Sequence, residues 1–230
     1  MARSIELTGR FAFLLFSAVT TAAQLIGQPI AIGIEGGLRT TGDVSGTLTP
    51  ESKRYIVGPK VDVRLPWHFS FEFDALYRDV GFTGYAGSCC GSSITRERDT
   101  SWEFPMLGKY HFPGVERLRL RPFAGIGYAP RIVHGNDVSS GSYLSGITEN
   151  PAASVYTYYF NSRSSASYPA TQGLVVSGGV EFGAHHLLIS PELRYVHWNA
   201  PFLYEFGGDG SFRYTSPQDE LFVLVGIAWH

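Results

Sequence analysis

Large apolar side chains return at every second position through most of this chain, and the clearest run is the last one. In 221–230 they are Leu221, Val223, Val225, Ile227 and Trp229. A strand turns successive side chains to opposite faces, so these five share one face of a β-strand about as long as a tilted strand needs to cross a bilayer. The same period recurs upstream. Residues 30–39 set Ile30, Ile32, Ile34 and Leu38 against Glu35 and Arg39, and 55–65 set Tyr55, Val57, Val61, Val63 and Leu65 against Lys60, Asp62 and Arg64. Residues 69–78 set Phe69, Phe71, Phe73 and Tyr77 against Ser70, Glu72, Asp74 and Arg78, while Trp102, Phe104, Met106 and Tyr110 oppose Glu103, Lys109 and His111. In 117–128, Leu118, Leu120, Ala124, Ile126 and Tyr128 oppose Arg117, Arg119 and Arg121. Leu174, Val176, Val180 and Phe182 then oppose Ser177, Gly179 and Glu181, and Ile189, Leu193 and Tyr195 oppose Ser190, Glu192 and Arg194. Together with 221–229 these runs predict eight strands.

Alternation alone does not say which face is inside, because a soluble barrel buries the apolar face and a membrane barrel exposes it. Three features favour the membrane arrangement. Aromatics on the apolar face gather near strand ends, with Tyr77, Trp102, Tyr128 and Tyr195 at one end and Phe69, Tyr110, Phe112, Phe182 and Trp229 at the other, as in two interfacial girdles. The opposite face mixes both charge signs with glycine, which suits a lumen only as wide as its side chains. Connections alternate between tight links at 66–68, 113–116 and 183–186 and long ones at 40–54, 82–101, 132–171 and 199–217. Short periplasmic turns and long extracellular loops are the expected form of an eight-stranded antiparallel up-and-down transmembrane β-barrel. Pro59, Pro105, Pro122 and Pro191 fall inside the runs and cannot donate to a ladder, so bulges are expected there.

The front of the chain gives a destination. Arg3 and Arg10 precede the apolar run from Phe11 to Val19, and Thr21, Ala22 and Ala23 supply small residues, so 1–23 is expected to be a signal peptide cleaved before Gln24, with 24–230 forming the barrel. That apolar run is about half the length a membrane helix needs. A formal net charge of -2, with no basic run, excludes nucleic acid as the expected partner.

The segments 102–110, 121–128 and 189–198 (WEFPMLGKY, RPFAGIGY and ISPELRYVHW) resemble bacterial outer-membrane β-barrel domain proteins of the porin family, similar in fold to OmpA and OmpX. The resemblance implies localisation in the cell outer membrane, contact with outer-membrane lipid and lipopolysaccharide, recognition by the barrel-insertion machinery, and a monomer. It also implies a terminal Phe or Trp, whereas here His230 follows Trp229. Such a fold carries many functions, so the resemblance says little about activity.

Candidate chemistry is sparse. His68 and Ser70 resemble in spacing the His and Ser of the lipid A deacylase PagL, with Phe71 where that family has Asn, and Glu72 close by as a carboxylate. Both would lie on one face, but at a short turn and so on the wrong side of the membrane for an outer-leaflet substrate. His185 and His186 on a tight link lack spaced partners for a metal site. Cys89 and Cys90 are adjacent in an exported segment, where a vicinal disulfide, intermolecular pairing and two free thiols all stay open. No catalytic, cofactor-binding or metal-binding residue is therefore expected, no cofactor, and no enzymatic activity. The expected function is structural or surface interaction around a closed, charge-filled lumen, with any extracellular ligand taken by the 132–171 loop. A small-solute channel and a lipid-modifying enzyme are the alternatives.

Overall fold

The computed structural model describes residues 30–42, 49–88, 91–113, 120–145, 156–167, 170–184, 186–200, 203–206, 212–215 and 217–229. The signal-peptide segment, Arg117, Arg119, His185, Cys89, Cys90 and His230 lie outside the described residues. The elements in chain order are β1 (Ile30–Arg39), β2 (Thr49–Pro50), β3 (Tyr55–Arg64), β4 (Phe69–Asp74), β5 (Leu76–Ser88), β6 (Gly91–Glu103) and β7 (Met106–His111). They continue as β8 (Leu120–Ser145), β9 (Tyr156–Ser167), β10 (Thr171–Ala184), β11 (Leu187–Trp198), β12 (Leu203–Phe206), β13 (Phe212–Thr215) and β14 (Asp219–Trp229).

Antiparallel pairing runs β1, β3, β4, β7, β8, β10, β11, β14, and β14 pairs back to β1. Eight strands therefore close into a barrel. Opposed residues can be followed once around it: Ile30 faces Val63, then Phe71, Gly108, Ile126, Val176, Tyr195 and Leu221. The Leu221 carbonyl accepts the N–H of Thr40, so the circuit returns to the first strand ten residues above its start. That stagger over eight strands, at about 3.3 Å per residue and about 4.8 Å between strands, tilts the strands by about 41°. Closing so small a ring forces strands together at inward glycines. A Cβ on Gly33 would lie 2.0 Å from the Ile227 carbonyl oxygen, and one on Gly127 would lie 2.0 Å from that of Met106.

The faces are inverted relative to a soluble protein. Ile34, Ile126 and Leu174 are 57%, 61% and 54% exposed, whereas Glu35 and Glu72 are fully buried. Burial by side chains cannot stabilise such an exterior in water, so the apolar face is one that hydrocarbon must cover. Along β14 the stripe from Leu221 to Trp229 rises about 20 Å at that tilt, close to the ~25 Å apolar band of an outer-membrane barrel. Aromatics sit at both of its borders: Tyr77 packs edge-on against Trp102 at one end, and Phe69, Tyr110 and Phe112 form a chain of edge contacts at the other.

Two expectations are corrected. Bulges at the prolines are not found: β3 keeps one register with β4 and β5 on both sides of Pro59, and β8 keeps one register with β10 through Pro122. The reason is that a residue in an antiparallel ladder presents its N–H and C=O to the same neighbour, and proline loses only the first. Pro59, Pro105 and Pro122 still accept N–H bonds from Ala75, Asp74 and Phe112 at 3.0, 3.0 and 2.8 Å. Second, 82–101 and much of 132–171 are not loops. β5 and β6 run on beyond the barrel, pair with each other as far as Ser88 and Gly91, and β6 pairs β8, which pairs β9. One end of the molecule thus carries a sheet, extended by β2 on β5.

Candidate functional site

The inward positions of each strand are read in the same order from the short-turn end to the extended end. On β4 and β5 they are Ser70, Glu72, Asp74, Leu76 and Arg78; on β11 they are Leu188, Ser190, Glu192, Arg194, Val196 and Trp198; on β14 they are Ala228, Gly226, Leu224, Phe222 and Glu220. Stacked by the register, these runs fill the lumen in tiers: a mixed tier at the turn end, a charged tier, an apolar tier and a second charged tier.

The central charged tier is built around Arg194. Its guanidinium reaches Glu192 and Asp74 at 2.7 Å each, Glu72 at 2.8 Å and Glu35 at 3.1 Å. β11 and β4 are four strands apart whichever way the ring is followed, so Arg194 crosses the whole lumen to meet Glu72 and Asp74. Lys60 bonds Glu35 and Glu72 at 3.1 and 2.5 Å, and Lys109 bonds Glu72 and Glu192 at 2.6 and 2.5 Å. A charge taken from water into such a space costs several kcal/mol unless partners surround it, and here every cation is shared between at least two carboxylates. Glu35, Glu72 and Asp74 also bring carboxylate oxygens within 4.8 Å of one another, a spacing that could hold a cation. Lys60 and Arg194 already fill that role, and the trio is their counter-charge.

Above it lies the apolar tier of Ile56, Leu76, Leu107, Val175, Val196, Phe222 and Leu224, with Ala129. The sequence reading treated the inward face as polar and missed it. Its signal was present in the even positions of β14 and β11, where Phe222, Leu224, Val196 and Trp198 occupy the face also used by Glu220 and Arg194. The second charged tier follows. Glu220 faces Arg78 at 3.2 Å, Arg39 at 3.5 Å and Arg131 at 3.6 Å, Glu103 faces Arg78 at 3.5 Å, and Arg131 lies 3.9 Å over the Trp198 ring. At the opposite end Arg64 and Glu181, again from opposed strands, meet at 2.6 Å. Arg121 points to the same end and is exposed.

His68 and Ser70 part company. The turn holds Trp67 and His68 at positive φ (61° and 69°), which breaks the alternation, so His68 is exposed while Ser70 is buried. The Ser70 hydroxyl instead lies 3.0 Å from Nε2 of His111 and 3.5 Å from Asp62, all within the mixed tier. Ser70 is 1% exposed, so its hydroxyl is closed off from solvent. His186 occupies the tight turn before β11 and is exposed.

No family model matches the sequence, and no curated protein matches it. Among solved structures, Neisserial surface protein A (NspA) superposes with a TM-score of 0.42 at 9% identity, covering 87% of this chain and 95% of that one. The N-terminal β-barrel domain of Pseudomonas aeruginosa OprF gives 0.36 at 10% identity, covering 88% and 98%. The chain is similar to outer-membrane barrels of this size. Its own strand ladder, closed by β14 on β1, establishes the eight-stranded fold independently of those scores.

Proposed function

We propose that this protein is an integral outer-membrane barrel that acts through its rigid wall and its exposed end, as a structural or surface-interaction protein, and that its lumen conducts no solute. The observation that carries this reading is Arg194, which spans the lumen between opposed strands and binds four carboxylates at once. Passage through that tier would strip several of these contacts together, and the apolar tier above it offers an ion nothing in exchange. The Ser70 hydroxyl beside His111 is closed off from solvent and does not favour catalysis. Recognition of an extracellular ligand falls to the sheet formed by β5, β6, β8 and β9, the ordered form of the segment expected to be a loop. The test is conductance: purified, refolded protein in planar bilayers gives no sustained current at neutral pH, and a steady ion-selective pore overturns the reading.

A further inference from the structure

We propose that Arg96, Arg98 and Arg163 form a binding site for the phosphate-bearing saccharide headgroup of a glycolipid in the leaflet that surrounds the extended end of the barrel. The inference rests on the proposed membrane setting, with that end outward.

Arg96 of β6 stands opposite Val138 of β8, which stands opposite Arg163 of β9, so the three make one row across the sheet. Arg98 is two residues from Arg96 and therefore on the same face. Between the arginines the floor is low, made by Val138, Ser140 and Ile94, and the result is a cleft of about 660 Å³. Two strand spacings separate the Arg96 and Arg163 positions, about 9.6 Å, which admits a phosphorylated sugar ring between two guanidiniums. Arginine presents paired N–H donors in the geometry that phosphate oxygens accept.

Charge at the cleft is unbalanced. Glu51 meets Arg96 at 3.3 Å and also interacts with the charge of Arg98, so two guanidiniums draw on one carboxylate and Arg163 adds a third positive charge. Unlike the lumen arginines, all three are exposed. The sheet face they occupy is the upward continuation of the lipid-facing stripe, because Arg98 and Arg96 follow Trp102 at four and six residues along β6. At the strand tilt this places them about 10 and 15 Å beyond the aromatic border. That height clears the acyl chains and lies in the layer of headgroup sugars and their phosphates. A lipid already held beside the barrel can reach the cleft with its headgroup alone.

The experiment uses the full mature chain reconstituted in phosphatidylcholine bilayers. Three probes are titrated: lipopolysaccharide with a phosphorylated inner core, the same lipopolysaccharide dephosphorylated, and inorganic phosphate. The expected result is at least ten-fold tighter binding of the phosphorylated form, lost in an R96S/R98S/R163S variant and kept by Arg121→Ser at the other end of the barrel. Glu51→Gln removes the carboxylate that competes for Arg96 and Arg98 and tightens binding a few-fold. Undiminished preference in the triple variant overturns the site, as does equal competition by inorganic phosphate at matched phosphate concentration, which marks a free-anion site. The membrane setting is read separately, by protease on intact cells. Cleavage between 82 and 171 places the extended end outside; protection there removes the setting itself, whatever the binding data.

Discussion

The lumen and the extended sheet use the same side chains to opposite effect. Arg194 and Arg96 sit on strands of one barrel, yet Arg194 is buried against four carboxylates while Arg96 is exposed and, among the described residues, pairs with Glu51. Enclosure makes the difference. Inside, water is excluded and each charge must find its complement among neighbouring strands, so the ion pairs become part of the fold. Outside, water screens the guanidinium, a pair contributes little to stability, and the charge stays available to a ligand.

The sharpest way to break this comparison is to remove one arginine from each region. Arg194→Ala leaves Glu35, Glu72, Asp74 and Glu192 with only Lys60 and Lys109, and the expected loss is about 3–5 kcal/mol of folding stability. Arg98→Ala should change stability by less than about 0.5 kcal/mol, as an exposed substitution away from special features does. Urea unfolding in lipid vesicles measures both, and similar losses for the two variants would mean that enclosure is not what sets their roles.

The next effect tests the outer wall. Val61 and Phe73 face each other across β3 and β4 on the lipid side. An arginine at either position near the bilayer midplane should cost about 2–4 kcal/mol. Unchanged folding in membranes, for both Val61→Arg and Phe73→Arg, would show that this face does not meet lipid. The same substitutions in the extended sheet, where the wall is wet, should be nearly silent.

The barrel was legible in the sequence because the alternation of Ile30 to Leu38 or Phe69 to Tyr77 records a boundary between two solvents, lipid outside and packed side chains inside. Pairing of both charge signs within the lumen was legible for the same reason. The apolar tier was not, since Phe222 and Leu224 lie on the face already assigned to polar residues, and only the stacking of strands shows that they meet Ile56, Leu76 and Val196. The length of β5, β6 and β8 escaped notice for another cause. Residues 91–100 (GSSITRERDT) have no apolar period, and their strand character comes from the ladder with β5 and β8 and not from local pattern. Without those extensions, the row of Arg96, Val138 and Arg163 could not be seen.

The smallest predicted effect concerns the carboxylate that separates the two regimes. The Thr83 hydroxyl bonds Glu51, and with Arg96 and Arg98 nearby this outweighs burial and holds its carboxyl below the usual range. A folded-state pKa below the unfolded one means that the contribution is present above the ordinary carboxylate range and is lost as pH falls through the lowered folded value. Because the Arg96 side chain is 54% exposed, salt screens the pair and the contribution stays under about 1 kcal/mol. Glu51→Gln should therefore lower stability slightly at neutral pH and flatten its decline on acidification, with the difference from wild type shrinking in high salt. Urea midpoints in vesicles between neutral and acid pH, at low and high salt, measure this. If the Glu51→Gln difference instead persists undiminished in high salt, this carboxylate behaves like those of the lumen, and the line between enclosed and exposed charge must be drawn further out along the sheet.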